Sequence, residues 1–243
     1  MKLSTEKQFF SNDEVKDTFY TNVRDKEHHQ ETRKFVEELW QIYEPYAEPK
    51  FLKKAKEDFH AKTWEMYLGC IFLKHGLNLQ KNNKIEGPDI HLLLNDRSVW
   101  IEAVAPTSGT GDNAVPAYNF NEATDTPVEK VLLRLTSVIQ EKFEKYNNYI
   151  NNNKGIIKPE DFYVIAVNGG RIRYSLSEPS IPYIVSSVLP FGNPIITLNI
   201  KSMEITNSHY KNRDTITTAK GNPVYTNIFE NEAYNGISAV LYS

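Results

Sequence analysis

The 243-residue chain has one cysteine, Cys70, so no disulfide can close within it, and a reducing cytoplasm is the simplest setting. No apolar run approaches the roughly 20 residues that a membrane helix needs, so a membrane protein is not expected. Lys2, Glu6 and Lys7 interrupt the segment from Met1 to Phe10, which leaves no apolar block of signal-peptide length. Charge of either sign is not in excess: 28 Lys and Arg face 31 Asp and Glu, a net charge of -3. Global attraction to nucleic acid or acidic membranes is thereby excluded, and any such contact must be local. Apolar residues, by contrast, are plentiful at 40%, enough to bury a core and to exclude wholesale disorder.

The segment from Ser11 to Glu48 places Phe35, Leu39, Trp40 and Tyr43 at helical spacing and meets Pro45 and Pro49 at its end. It predicts an N-terminal helical cover over residues 1–50. Phe51 to His75 predicts a long amphipathic helix with Trp64, Leu68, Ile71, Phe72 and His75 on one stripe. Lys56, Asp58, Lys62 and Lys74 fall elsewhere on it, and Gly76 ends it. Three strands are expected next, at Leu77 to Asn82, Asp89 to Asn95 and Ser98 to Val104, the last two closed into a hairpin by Asn95-Asp96-Arg97.

After a long loop from Ala105 to Thr126, Pro127 opens a second helix that runs to about Ile150. Phe162 to Val167 is a run of six apolar residues suited to a buried central strand, ended by Asn168-Gly169-Gly170. The order helix, three strands, helix, strand (αβββαβ) thus occupies residues 51–170. Short β-like runs at Tyr183 to Val188, Ile195 to Ile200 and Ile237 to Tyr242 predict a β-rich extension over residues 171–243. The expected class is α/β, with a mixed central sheet flanked by helices.

Chemistry concentrates at Gly87-Pro88-Asp89-Ile90-His91 and Trp100-Ile101-Glu102-Ala103-Val104. If these runs pair antiparallel, Asp89 and Glu102 reach the same end of the sheet, and two converging carboxylates suit a divalent metal ion. Glu102 also lies in an apolar strand, where a charge needs a partner such as a metal or a base.

Pro88-Asp89, followed after twelve residues by Glu102 and then by that order of helix and strand, resembles the PD-(D/E)XK, or restriction-endonuclease-like, nuclease superfamily over roughly residues 51–168. The resemblance implies a four-stranded mixed sheet between two helices. It further implies Asp89 and Glu102 as metal ligands, a carboxylate on the first helix as an auxiliary ligand, and a lysine that positions or activates water. Glu65 matches the helical carboxylate, because it lies beside the stripe of Ala61, Leu68 and Phe72.

The lysine expected two residues after Glu102 is instead Val104. Family members whose basic residue sits on the following helix point to Lys142, which falls within the stripe of Val128, Val131, Leu132, Leu135, Ile139, Phe143 and Tyr146. Lys130, Arg134 and Glu141 fall outside that stripe and read as solvated. The implied activity is hydrolysis of a phosphodiester in nucleic acid, DNA more than RNA, with Mg²⁺ or Mn²⁺ held by Asp89, Glu102 and Glu65 and with Lys142 orienting water. One alternative is a catalytically inactive nuclease-like domain that binds nucleic acid or protein. Another is an unrelated α/β protein in which the hairpin carboxylates are structural.

Weaker signals add little. Gly109-Thr110-Gly111-Asp112-Asn113-Ala114 matches a dinucleotide-binding string, but Val115-Pro116 and a loop follow it where a helix is required. The histidines, at 28, 29, 60, 75, 91 and 209, show no ligand spacing, and Cys70 reads as buried filler. Arg171 and Arg173 close the apolar strand, where they suit either a phosphate or a solvated turn.

Overall fold

The fold is taken from a computed structural model that describes residues 8–81, 87–119, 121, 125–151, 155–175, 177 and 181–243. The chain divides into two compact units, each assembled from several stretches of sequence. The first comprises Met1–Ala105, Tyr146–Asn168 and Ser238–Leu241, and the second Pro106–Lys145, Gly169–Ile237 and Tyr242–Ser243. Among the described residues no helix is long and apolar enough to cross a membrane.

The first unit opens with helices α1 (Thr18–Asp25) and α2 (Gln30–Tyr43). The expected single helix from Phe51 to His75 is two, α3 (Phe51–Ala55) and α4 (Phe59–Lys74). Asp58 is the cause: its backbone is not helical and its side chain accepts a hydrogen bond from the Ala61 N–H, which starts a new helix. Gly76 ends the helical run in a left-handed conformation, φ +72°, as its position suggests.

A mixed sheet of five strands packs beside these helices, in the order β1-β2-β3-β4-β9. Its members are β1 (Asn78–Leu79), β2 (Ile90–Leu94), β3 (Arg97–Val104), β4 (Phe162–Val167) and β9 (Ala239–Tyr242). The expected first strand is shorter than its apolar run, and its last residue, Asn82, lies outside the described residues. β2 and β3 pair antiparallel through a two-residue turn in which Asn95 (φ 48°) and Asp96 (φ 63°) both adopt positive φ, the geometry that matches strand twist. β3 and β4 run parallel, with Glu102 opposite Ile165.

The core joins α2, α3 and α4 to one face of this sheet, through Ile90, Leu92, Ile101, Ala103, Val164 and Ala166. The Trp64 indole N–H donates to the Ala166 carbonyl at 3.0 Å, which ties α4 to β4. Gly69 lets α2 approach α4: a Cβ there would lie 2.3 Å from the Tyr43 ring. With α2 on one side and the sheet on another, α4 buries residues well beyond its expected stripe, Lys62 and Glu65 among them.

Helix α5 (Val128–Asn151) matches its expected span and passes from the second unit to the first after Lys145. The second unit holds α6 (Tyr183–Val188) and two β-hairpins, β5 (Phe191–Leu198) with β6 (Ile205–Asn212) and β7 (Thr215–Thr217) with β8 (Pro223–Tyr225). Tyr183 to Val188, read from sequence as β-like, is therefore helical. Its buried residues, Tyr183, Ile184, Ser187 and Val188, recur at helical spacing, and burial of that face overrides the β preference of Tyr, Ile and Val.

Candidate functional site

Lys62 is the centre of the charged cluster in the first unit. It lies one turn before Glu65 on α4, and its ammonium reaches Glu65 Oε2 at 2.5 Å, Glu48 Oε1 at 3.2 Å and Asp89 Oδ1 at 3.2 Å. Only 8% of Lys62 and 1% of Glu65 is exposed, so water screens little of this attraction. Tyr43, at the end of α2, donates its hydroxyl to Glu65 Oε1 at 3.0 Å. Both oxygens of Glu65 are thus held by chain groups, one by a phenol and one by an ammonium.

Asp89 stands between this cluster and the sheet. Its Oδ2 accepts the Ala103 N–H of β3 at 2.9 Å, while its Oδ1 faces Lys62. The β2–β3 register ends at Ile90 opposite Ile101, so one step further sets Asp89 opposite Glu102 at the mouth of the hairpin. Glu102 is 3% exposed. Alternation on β3 puts it on the sheet face of Trp100, away from Ile101 and Ala103 in the helix-packed core. His91 stacks on Trp100 at 3.8 Å and marks the same face.

Three titrating groups record the field. The three carboxylates outnumber the Lys62 ammonium. Burial, followed by the charge of Asp89, pushes Glu65 up to about 8 despite Lys62 and Tyr43. Burial works against the charged form of Lys62, but Glu65, Asp89 and Glu48 together raise its pKa above the ordinary lysine value. Lys62 therefore stays cationic, and Glu65 holds its proton up to about pH 8. On the other sheet face, burial and then the charge of Glu102 push the Tyr163 phenol up, and Asp89 adds to the effect. Both carboxylates thus act on one hydroxyl.

Of the residues read from sequence, the structure brings Asp89 and Glu65 together on Lys62 and sets Glu102 across the hairpin from Asp89. Among the described residues, no three His, Cys, Asp or Glu side chains form a group able to hold a metal ion. A pair is still sufficient for magnesium, which commonly takes one or two carboxylates and fills its remaining positions with water and phosphate oxygens. Lys142 lies in the second unit, 7% exposed, as its place in the apolar stripe of α5 implies. Arg134, read as solvated, is half-buried and donates to the Thr107 carbonyl at 2.8 Å.

Lys62 lies off the main apolar stripe of its helix, alongside Lys56, Asp58 and Lys74, and that stripe does not signal it. A second stripe, Phe59, Lys62, Met66 and Gly69, carries the signal: a lysine at apolar spacing with a glutamate three residues on. Arg173 is held elsewhere, its N–H on Ser108 Oγ at 2.9 Å and its guanidinium on the Val115 carbonyl at 3.3 Å. No protein-family model, curated protein or solved structure shows a significant match to the chain.

Proposed function

We propose that the chain is a divalent-metal-dependent phosphodiester hydrolase acting on nucleic acid, DNA more than RNA, built on a restriction-endonuclease-like core. The observation that carries this reading is Asp89, fixed by the Ala103 N–H at the mouth of a hairpin opposite Glu102, with the Lys62 ammonium 3.2 Å away. Asp89 and Glu102 would hold Mg²⁺ or Mn²⁺, which when bound lowers the pKa of its water and stabilises charge on the phosphate. Lys62 supplies from the first helix the positive charge that Val104 cannot. Glu65, with Tyr43 behind it, positions Lys62 and is not required as a third ligand.

A second reading has its own support. Each oxygen of Glu65 and Asp89 already has a partner within the chain, a closed arrangement that suits a nuclease-like domain kept for binding without turnover. Incubation of the purified chain with supercoiled plasmid, single-stranded DNA and RNA in Mg²⁺ or Mn²⁺ separates the two. Cleavage should fall at least 100-fold in Asp89→Asn, Glu102→Gln and Lys62→Met and persist in Lys142→Met, since loss of a transition-state charge contact typically costs about 10²–10³. No cleavage of any substrate, with no Mn²⁺ uptake by calorimetry, would select the binding module.

A further inference from the structure

The hairpin of β5 and β6 has no part in the cluster around Lys62. Every residue from Asn193 to Asn212 is exposed, although the ribbon is well built. Asn199 accepts the Lys201 N–H on its side chain and the Met203 N–H on its carbonyl, and Met203 takes a left-handed conformation, φ 56°, to close the turn. At the base, Gly192 packs so tightly that a Cβ would meet the Lys211 carbonyl at 2.7 Å. Two-stranded ribbons are marginal in water unless one face is covered.

One face of this ribbon is apolar. Pro194 opposes Tyr210, and Ile196 opposes Ser208 on the same side. A register shift after Thr197 leaves Leu198 opposite Ile205, which brings Ile205 to that face as well. The opposite face carries Ile195, Thr197, Asn207 and His209. Ile196 is 54% exposed, Leu198 48% and Ile205 63%, while Ile200 and Met203 in the turn reach 88% and 72%. Single exposed apolar residues are ordinary, but a contiguous set on one sheet face marks a contact surface.

We propose that this face binds the same face of a second copy of the chain, forming a two-fold dimer. Charge and area both point to that occupant. Between Asn193 and Asn212 the charged residues are Lys201, Glu204 and Lys211, too few and too mixed to neutralise a nucleic-acid backbone or to hold an anionic membrane. A self-complementary apolar patch is what an isologous contact uses. With Ile200 and Met203 of the turn added to Ile196, Leu198 and Ile205, the exposed side chains offer roughly 500 Å² of apolar area, set against the roughly 800 Å² per partner that a standard stable interface buries.

Sedimentation equilibrium of the full chain from about 1 to 100 µM tests this. A concentration-dependent dimer is expected, with Ile196→Glu and Leu198→Glu each weakening association at least 10-fold. Thr197→Glu, on the other face, should leave it unchanged. These positions are exposed in the single copy, and unchanged thermal unfolding at low concentration would verify that each variant folds. A monomer throughout the range overturns the proposal, as does a dimer that survives both apolar-face variants. A monomer that instead floats with phosphatidylcholine–phosphatidylserine vesicles overturns it by assigning the face to lipid. None of these outcomes depends on nucleic-acid cleavage, so the dimer and the hydrolase reading stand or fall separately.

Discussion

Glu65 is a carboxylate whose protonation the fold shifts strongly. Its carboxyl, pushed up to about 8 by burial and by Asp89, titrates in the unfolded chain near the ordinary 4.5. Between those values the folded chain holds a proton that the unfolded chain has released, so this contribution to stability is full below about pH 4.5 and is lost as pH rises through 8. Glu65→Gln keeps a neutral amide at every pH and removes that dependence. In buffer free of divalent cations, the urea stability of the unmodified chain should fall across the window by on the order of 2 kcal/mol more than that of Glu65→Gln. Parallel curves would mean that Glu65 ionises in the folded chain at its ordinary value. At this scale sequence was partly legible: Asp89, Glu102 and Glu65 announced themselves as acids near apolar runs. Lys62 did so only through the second stripe of α4, Phe59, Lys62, Met66 and Gly69, whose burial comes from the packing of α2 and not from the main apolar stripe.

Elements explain why Asp89 and Glu102 come opposite each other across the hairpin. The β2–β3 hairpin sets the register, and the turn sets the hairpin: with only Asn95 and Asp96 between the strands, both must adopt positive φ. Asn accepts that conformation readily, Asp less so, and Gly best of all. Asp96→Gly should therefore stabilise the chain by about 0.5–1 kcal/mol in urea unfolding, leaving the Asp89–Ala103 contact in place. Destabilisation would show that the Asp96 side chain holds the turn by some other means. The hairpin, α5 and β4 were legible because each carries a local signature, a polar turn, a proline start or an unbroken apolar run. The break between α3 and α4 and the helical state of Tyr183–Val188 were not. One depends on a single capping aspartate and the other on burial of a face against distant residues.

At the scale of the whole molecule, the αβββαβ order read from residues 51–170 does not complete the sheet. β9, some 70 residues beyond β4 in the chain, lies beside it, and Ser238 just ahead of β9 bonds Tyr163 twice. Its N–H donates to the Tyr163 carbonyl at 2.8 Å and its hydroxyl accepts the Tyr163 N–H at 3.1 Å. Such a pairing leaves no local trace, since nothing in Ala239-Val240-Leu241-Tyr242 states which strand it joins. A chain ended at residue 170 would keep all the acidic residues of the candidate site and Lys62, yet leave β4, buried along almost its whole length, with a bare edge. It should unfold without cooperativity or aggregate, whereas a chain in which only the β5–β6 ribbon is replaced by a short Gly-Asn turn should keep a cooperative transition, because every residue from Asn193 to Asn212 is exposed. Urea titration of both separates the cases. Cooperative unfolding of the 170-residue chain would show that β9 is dispensable and that the sheet around Asp89 and Glu102 is held by its local order alone.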